Sequence, residues 1–401
     1  MVGVAISCFS LAQMTFAPIA VGLSTQPNIG RSFVLRTCLL GAACSSLLIA
    51  FSGNVYGVIA GRTLAGVFAA CVPVAQSSVT DLLPHHQMTV GLSRVSAAAQ
   101  CGVVVGPLVS ATFQEGFKAL SIPTKLCLPA VFLLNACNAL FVLGLMTYIE
   151  RRNNISDNNN NKKNSNTMSS SLDHNNNSLG SESAVVEGDN NNKEKMSHSR
   201  IVTLYAQPML RTITVIVGWT AILSNSIYGL FAPRFMGFGQ SQLSATYSVA
   251  AILMVATQLI FPRLVTQMGG EHRACTVGIL AVATGIGGQS MVRTQPFHSA
   301  LYMLNRAGAA IADTSTASMV ASFSRDREER SNNLALLTST RAAARIFTPL
   351  LSTKMFEINC SSPFVTAACF CLGVSPFPSV LRRAGKRAMR RKNDYQNKLA
   401  E

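Results

Sequence analysis

The sequence predicts an all-α, polytopic membrane protein made of two related helix bundles. Three observations carry that prediction: a composition poor in charge, a ladder of long apolar runs, and short sequence matches repeated at a nearly constant spacing. Of 401 residues, 49% are apolar and only 12% charged, against about 25% charged in an ordinary soluble domain. A water-soluble globule of this size cannot cover itself with so few charges. The charges it has are clustered in residues 150–211, 325–330 and 382–398. This distribution excludes a cytosolic enzyme, a nucleic-acid binder reading through a basic face, and a disordered chain. The formal charge of +16 comes from Lys and Arg that flank apolar segments, where the cytoplasmic side of a membrane collects them. A lipid bilayer, not nucleic acid, is therefore the expected partner.

A bilayer core about 30 Å thick needs about 20 apolar residues per helix, and within it the backbone must satisfy its own hydrogen bonds. Eleven spans follow, at residues 2–23, 33–52, 55–80, 90–113, 128–149, 211–232, 243–264, 273–292, 298–322, 334–353 and 362–381. The first run lacks a basic n-region and a small-residue cleavage site, so it reads as a retained span. Eleven cysteines fall mostly within apolar runs, with no CxxC pair and no His/Cys cluster at metal spacing. They read as small packing residues, and neither a metal nor a cofactor is expected.

One set of loops holds Arg31, the stretch Arg151 to Arg200, Arg263, Arg273, Arg325, Arg327, Arg330 and the tail Arg382 to Lys398. The opposite set holds Lys118, Lys125, Arg234, Arg293 and Lys354. The positive excess puts the first set in the cytoplasm. Four segments result: an N-terminal bundle at 1–150, an Asn-rich linker at 151–205, a C-terminal bundle at 206–381 and a basic tail at 382–401. The linker has too little apolar surface to fold and is expected to be a disordered cytoplasmic tether. The tail is expected in the cytoplasm as well.

The halves match one another. Pro18 corresponds to Pro262, Gly61-Arg62 with Gly66 to Asn305-Arg306 with Gly308, and Pro107-Leu108-Val109-Ser110 to Pro349-Leu350-Leu351-Ser352, at offsets of 244, 244 and 242. Such matches indicate duplication. Subtracting 244 from the span at 211–232 lands before residue 1. The ancestral plan is therefore read as six plus six helices, with this chain giving five plus six and starting at the second.

These residues resemble the major facilitator superfamily, most closely its drug:proton antiporter branch of the tetracycline-efflux type. Gly61 to Gly66, followed by Ser77-Ser78-Val79-Thr80-Asp81, is similar to the family's fourth-helix arginine motif. Gly102-Val103-Val104-Val105-Gly106-Pro107 is similar to its fifth-helix antiporter motif, and this implies exchange in place of leak. The loop motif after the second family helix is eroded. Gly30-Arg31 survives, but Pro27 stands in the acidic slot and no Asp or Glu precedes Asp81. Its loss puts the usual cytoplasmic gate in doubt.

An ionisable group within a span is costly and ordinarily faces a cavity or a partner. Arg62, Arg306, Asp313, Arg341 and Arg345 are thus the informative positions. Arg62 and Arg306 are expected to line a central cleft, although an arginine bonded to backbone carbonyls is the plainer alternative. Asp313 lies two turns beyond Arg306 on nearly the same face. It is the candidate proton carrier, with Arg345 as its expected partner, or else half of a permanent clamp. Gln13, Gln76, Gln100, Asn135, Asn138, Asn225, Tyr228, Tyr247 and Gln258 offer hydrogen bonds to a solute or ties between helices. Gln13 and Gln100 join the arginines as cavity candidates. Gly66, Gly102 and Gly106 permit close approach, while Pro107 and Pro349 remove a backbone donor and bend their helices. Asp81 and the loop at 325–330 read as solvated or Arg-paired helix ends.

A secondary transporter moving a small organic solute by alternating access is therefore expected, as a monomer, with protons as the coupling ion and export as the direction. The excess of deep arginines leaves an organic-anion carrier as an alternative. The eroded loop leaves a non-transporting membrane protein as another. No GxxxxGK[ST], HExxH or GxSxG motif suggests ATPase or hydrolase chemistry.

Overall fold

A computed structural model describes residues 2–84, 87–119, 127–169, 189–324 and 326–384. Among them no strand occurs, and the chain forms twelve α-helices. In the first half these are α1 (Val2–Thr25), α2 (Gly30–Phe51), α3 (Val55–Val67), α4 (Cys71–Leu82), α5 (Met88–Ala119) and α6 (Cys127–Ser169). In the second they are α7 (Asp189–Met236), α8 (Gln240–Met268), α9 (Glu271–Met291), α10 (Gln295–Phe323), α11 (Arg327–Ile358) and α12 (Ser362–Val374). Helical turns resume at 377–384.

Each of the eleven expected spans has a helical body, and the third is broken into α3 and α4. The break precedes Pro73, which has no N–H to give and whose ring would collide with the carbonyl four residues back, at Ala69. α4 therefore starts at Cys71, with Pro73 tolerated in its first turn. In the second half the equivalent of Pro73 is Ala317, and α10 runs unbroken. Among the described residues nine helical stretches are long and apolar enough to cross a membrane. α10 and α11 have the length but are not among the nine; they are the helices that carry Arg306, Asp313, Arg341 and Arg345.

The linker expected at 151–205 begins and ends in helical backbone. α6 continues to Ser169, α7 starts at Asp189, and residues 170–188 lie outside the described residues. So does the tail from 385 onward, and with it most of the basic segment.

Packing follows the repeat. α2 lies against α3 and α6 as α9 lies against α10 and α12. The two bundles meet along two seams, α1 with α11 and α8 with α5. Because α1 is the repeat equivalent of α8, and α5 of α11, each seam is the other with the halves exchanged. The turns α1–α2 and α8–α9 each hold a left-handed glycine, Gly30 at φ +73° and Gly269 at φ +74°. A side chain would be strained at that angle.

The most extensive helix–helix packing among the described residues joins α9 to α10. A Cβ on Gly308 would stand 2.7 Å from the Gly278 carbonyl oxygen, and one on Gly278 would stand 2.9 Å from that of Gly308. Neither backbone can yield without parting the helices. Gly308→Val is therefore expected to destabilise the second half by about 1–3 kcal/mol, seen as a lower melting temperature in detergent. An unchanged melting temperature would refute this packing. The largest buried apolar cluster gathers α7 with α9, α10, α11 and α12, around Leu210, Ile213, Ile279, Val320 and Leu334.

Candidate functional site

Two polar constellations span the halves, one at the end where α6 leaves for the linker and α7 returns from it, the other at mid-depth. The linker-end constellation is built on three helix ends. Arg31, at the start of α2, pairs with Asp81 at the end of α4. The Nε of Arg327, at the start of α11 in the other half, stands 2.6 Å from the same carboxylate. The Asp81 side chain is 2% exposed. Arg31 also donates to Ser331 (3.1 Å), Ser331 bonds Ser77, and Arg330 donates to the Thr80 carbonyl at 3.0 Å.

A second latch occupies the equivalent place with the halves exchanged. Glu271, at the start of α9, accepts from Ser318 at the end of α10 and from Thr89 at the start of α5, and Thr89 and Ser318 lie 2.9 Å apart. The first latch is built round a cation at the start of α2, the second round an anion at the start of α9. The erosion of the loop motif has therefore not abolished the charge pairing: Arg31 finds its acid on α4, and the other half supplies a second cation. Arg327 and Arg330, read from sequence as part of a solvated turn, belong to the closure, as does Ser331 beside them.

At mid-depth Arg341 donates to Asp313 at 2.8 Å, with the two side chains 30% and 25% exposed. The expected partner, Arg345, reaches across to Gln13 of α1 at 3.4 Å. Both arginines lie on one face of α11, and the stem of Arg341 rests against Gly218 of α7, whose Cβ would stand 3.3 Å from it. Arg341, not Arg345, is the arginine paired with Asp313. Arg306 donates to the Ala221 carbonyl of α7 at 3.3 Å, the plainer alternative for such an arginine. Its equivalent, Arg62, is exposed on α3 with no hydrogen bond or ion pair among the described residues. The helix that receives Arg306 is α7, and α7 has no first-half counterpart among the described residues.

The remaining candidates divide. Gly66 holds α3 against α1, where a Cβ would stand 2.3 Å from the Phe9 carbonyl oxygen. Gly102 and Gly106 do not make the close approach expected of them, since among the described residues a Cβ on either would meet nothing within 4 Å. Gln100 is half-buried on α5. Pro107 and Pro349 lie within α5 and α11, their side chains outside the described residues. Asn135 ties α6 to Ser46 of α2 at 2.8 Å. Asn225 accepts from Tyr302 (2.6 Å) and Tyr247 (3.1 Å), and Trp219 packs edge-on to Phe370. These are ties between helices.

The Major Facilitator Superfamily profile matches residues 1–294. The class H tetracycline resistance protein of Pasteurella multocida is 28% identical over 148 residues, 37% of this chain and 34% of that protein. The class D protein of Salmonella ordonez is 31% identical over 140 residues, 35% of this chain and 34% of that protein. The chain thus spans about a third of the length of these relatives. The crystal structure of the human organic anion transporter MFSD10 (TETRAN) superposes with a TM-score of 0.68 at 18% identity, covering 94% of this chain and 83% of that one. At that identity the likeness is one of fold. The profile covers well over half the sequence, and two equivalent seams with the halves exchanged join the bundles. On these grounds the chain is a multi-pass membrane protein that belongs to the major facilitator superfamily.

Proposed function

We propose that this protein is a secondary active transporter that moves a small organic solute by rocking residues 1–150 against 206–381, exporting the solute against proton entry, as a monomer. The observation that carries the reading is the pair of latches. Both join the halves at the linker end, and both are made from helix ends that separate when the halves rock. The loops at that end carry the positive excess, so the linker and tail are cytoplasmic in this reading, the linker acting as a tether, and the described state is closed to the cytoplasm. The crevice is lined by Gln13, Arg62, Gln100, Arg306, Asp313 and Arg345, with Asp313 exchanging between Arg341 and a proton.

One observation favours an organic anion as the solute. The second half sets Arg306, Arg341 and Arg345 against the single carboxylate of Asp313, and Arg62 adds an exposed cation from the first. Purified protein in liposomes with an imposed pH gradient tests both readings, using tetracycline, a cationic dye and a fluorescent organic anion. Gradient-driven flux of one of the three is expected. Silence towards all three in vesicles shown to contain folded protein would overturn the proposal.

A further inference from the structure

The α5–α8 seam holds a cavity of about 440 Å³ at the linker end, lined by Val90, Ser93, Arg94, Leu259, Ile260 and Arg263, with Pro262 beside them. Arg94 comes from the first half and Arg263 from the second. Both are exposed, and among the described residues neither side chain has a hydrogen bond or ion pair. Arg94 lies six residues into α5 and Arg263 five residues before the end of α8. At 1.5 Å per residue both sit about 8–9 Å from the helix ends, a depth from which an arginine reaches the headgroup layer. Below them Leu259 and Ile260 are 59% and 49% exposed and present an apolar wall.

Arginines near helix ends ordinarily snorkel without binding anything, and the exchanged seam shows what the fold itself requires there. By the offsets of 244 and 242, the equivalents of Arg263 and Arg94 on α1 and α11 are Ile19 and Leu336. Those two are 51% and 37% exposed, apolar side chains turned outward at a seam of the same construction. The seam therefore closes without arginine, and the guanidinium pair is an addition to one side only. Two unpaired cations from opposite halves, above an apolar wall and beside a cavity open to the bilayer, match a phosphodiester with acyl chains below it.

We propose that the groove between α5 and α8 at the linker end binds an anionic phospholipid, whose phosphate bridges Arg94 and Arg263 and whose chains lie on Leu259 and Ile260. Bridging the halves at the end the latches close, the lipid stabilises that closed state. The inference stands independently of any transport activity.

Lipid titration of the full-length protein in detergent tests it, read by melting temperature and by native mass spectrometry. Phosphatidylglycerol is expected to raise the melting temperature where phosphatidylcholine does not, with one tightly held adduct. Arg94→Gln with Arg263→Gln should weaken phosphatidylglycerol binding roughly thirtyfold without altering stability in phosphatidylcholine. The control Arg151→Gln with Arg152→Gln, exposed arginines on α6 away from the seam, should leave the response intact. The proposal is overturned by an unaltered response in the seam variant, by an equal loss in the control, or by the same rise with inorganic phosphate alone. Should the seam variant not fold, Ile19→Arg with Leu336→Arg offers the converse test: a second phosphatidylglycerol adduct is expected, and its absence overturns the proposal.

Discussion

Asp81→Asn is expected to open the linker end of the molecule. Its carboxylate is nearly fully buried and faces Arg31 from its own half and Arg327 from the other. Without that charge the Arg31 guanidinium, 13% exposed, is left without its acid, while Arg327, 70% exposed, keeps its hydration. Leaving a buried charge without its partner costs about 3–5 kcal/mol, carried here by Arg31 and borne by the closed state, because the open state hydrates it. A shift of that size moves the equilibrium by a factor of roughly 100 or more. Spin labels at Leu82 and Glu328, exposed positions on either side of the closure, read it directly in a cysteine-depleted background. The variant should show a longer, broader distance distribution than the parent. An unchanged distribution would mean that the apolar seams alone hold this end shut. Glu271→Gln should act in the same direction but more weakly, since its partners are the neutral hydroxyls of Thr89 and Ser318.

The second large effect is expected at Asp313. Asparagine there keeps the shape and loses both the charge and the exchangeable proton. Gradient-driven flux should fall by about a hundredfold or more, roughly the lower bound for losing a positioned proton-transfer group, while solute exchange in the absence of a gradient persists. The double variant Asp313→Asn with Arg341→Gln separates carrier from clamp. It replaces an ion pair by a neutral pair of similar size, so a purely structural bridge would be largely restored. Recovery of gradient-driven flux in the double variant would therefore sink the proton-carrier role. Continued exchange without coupling would support it.

Much of the fold was legible because its signals are local or periodic. Apolar length gave a helix for each expected span, nine helical stretches among the described residues being apolar enough to cross a membrane, and the matches Pro18/Pro262 and Arg62/Arg306 gave the duplication that the exchanged seams reproduce. The break at Phe68–Ala70 was harder to read, since membrane helices often carry proline. It takes both the Pro73 ring and the Phe68 ring seated on Gly41 to turn a tolerated proline into a break. The partner of Asp313 was misread: the sequence reading chose Arg345, and the structure gives Arg341. The two arginines are one turn apart on one face of α11, a spacing that no local pattern resolves. The latches were illegible for a different reason. The acid sought beside Gly30 lies on α4, fifty residues beyond Arg31, and its second cation is at Arg327. No local window holds both. The repeat held a clue all the same, since the α2 and α9 starts are equivalent and each carries a charge, Arg31 and Glu271.

That the two equivalent sites carry opposite signs bears on how a duplicated gene product recognises itself. Were two first halves to assemble, Asp81 would meet the Thr89 end of α5 and lose the guanidinium of Arg327. Were two second halves to assemble, each Glu271 would face the Arg327–Ser331 turn of its twin, and the threonine it now bonds would be gone. A first-half pair would thus leave its buried acid one cation short, whereas a second-half pair would set an acid against a basic turn, so the preference for the unlike sibling rests on the first half and on the polar groups left unmet. The duplicated halves have diverged into surfaces of different charge at equivalent places.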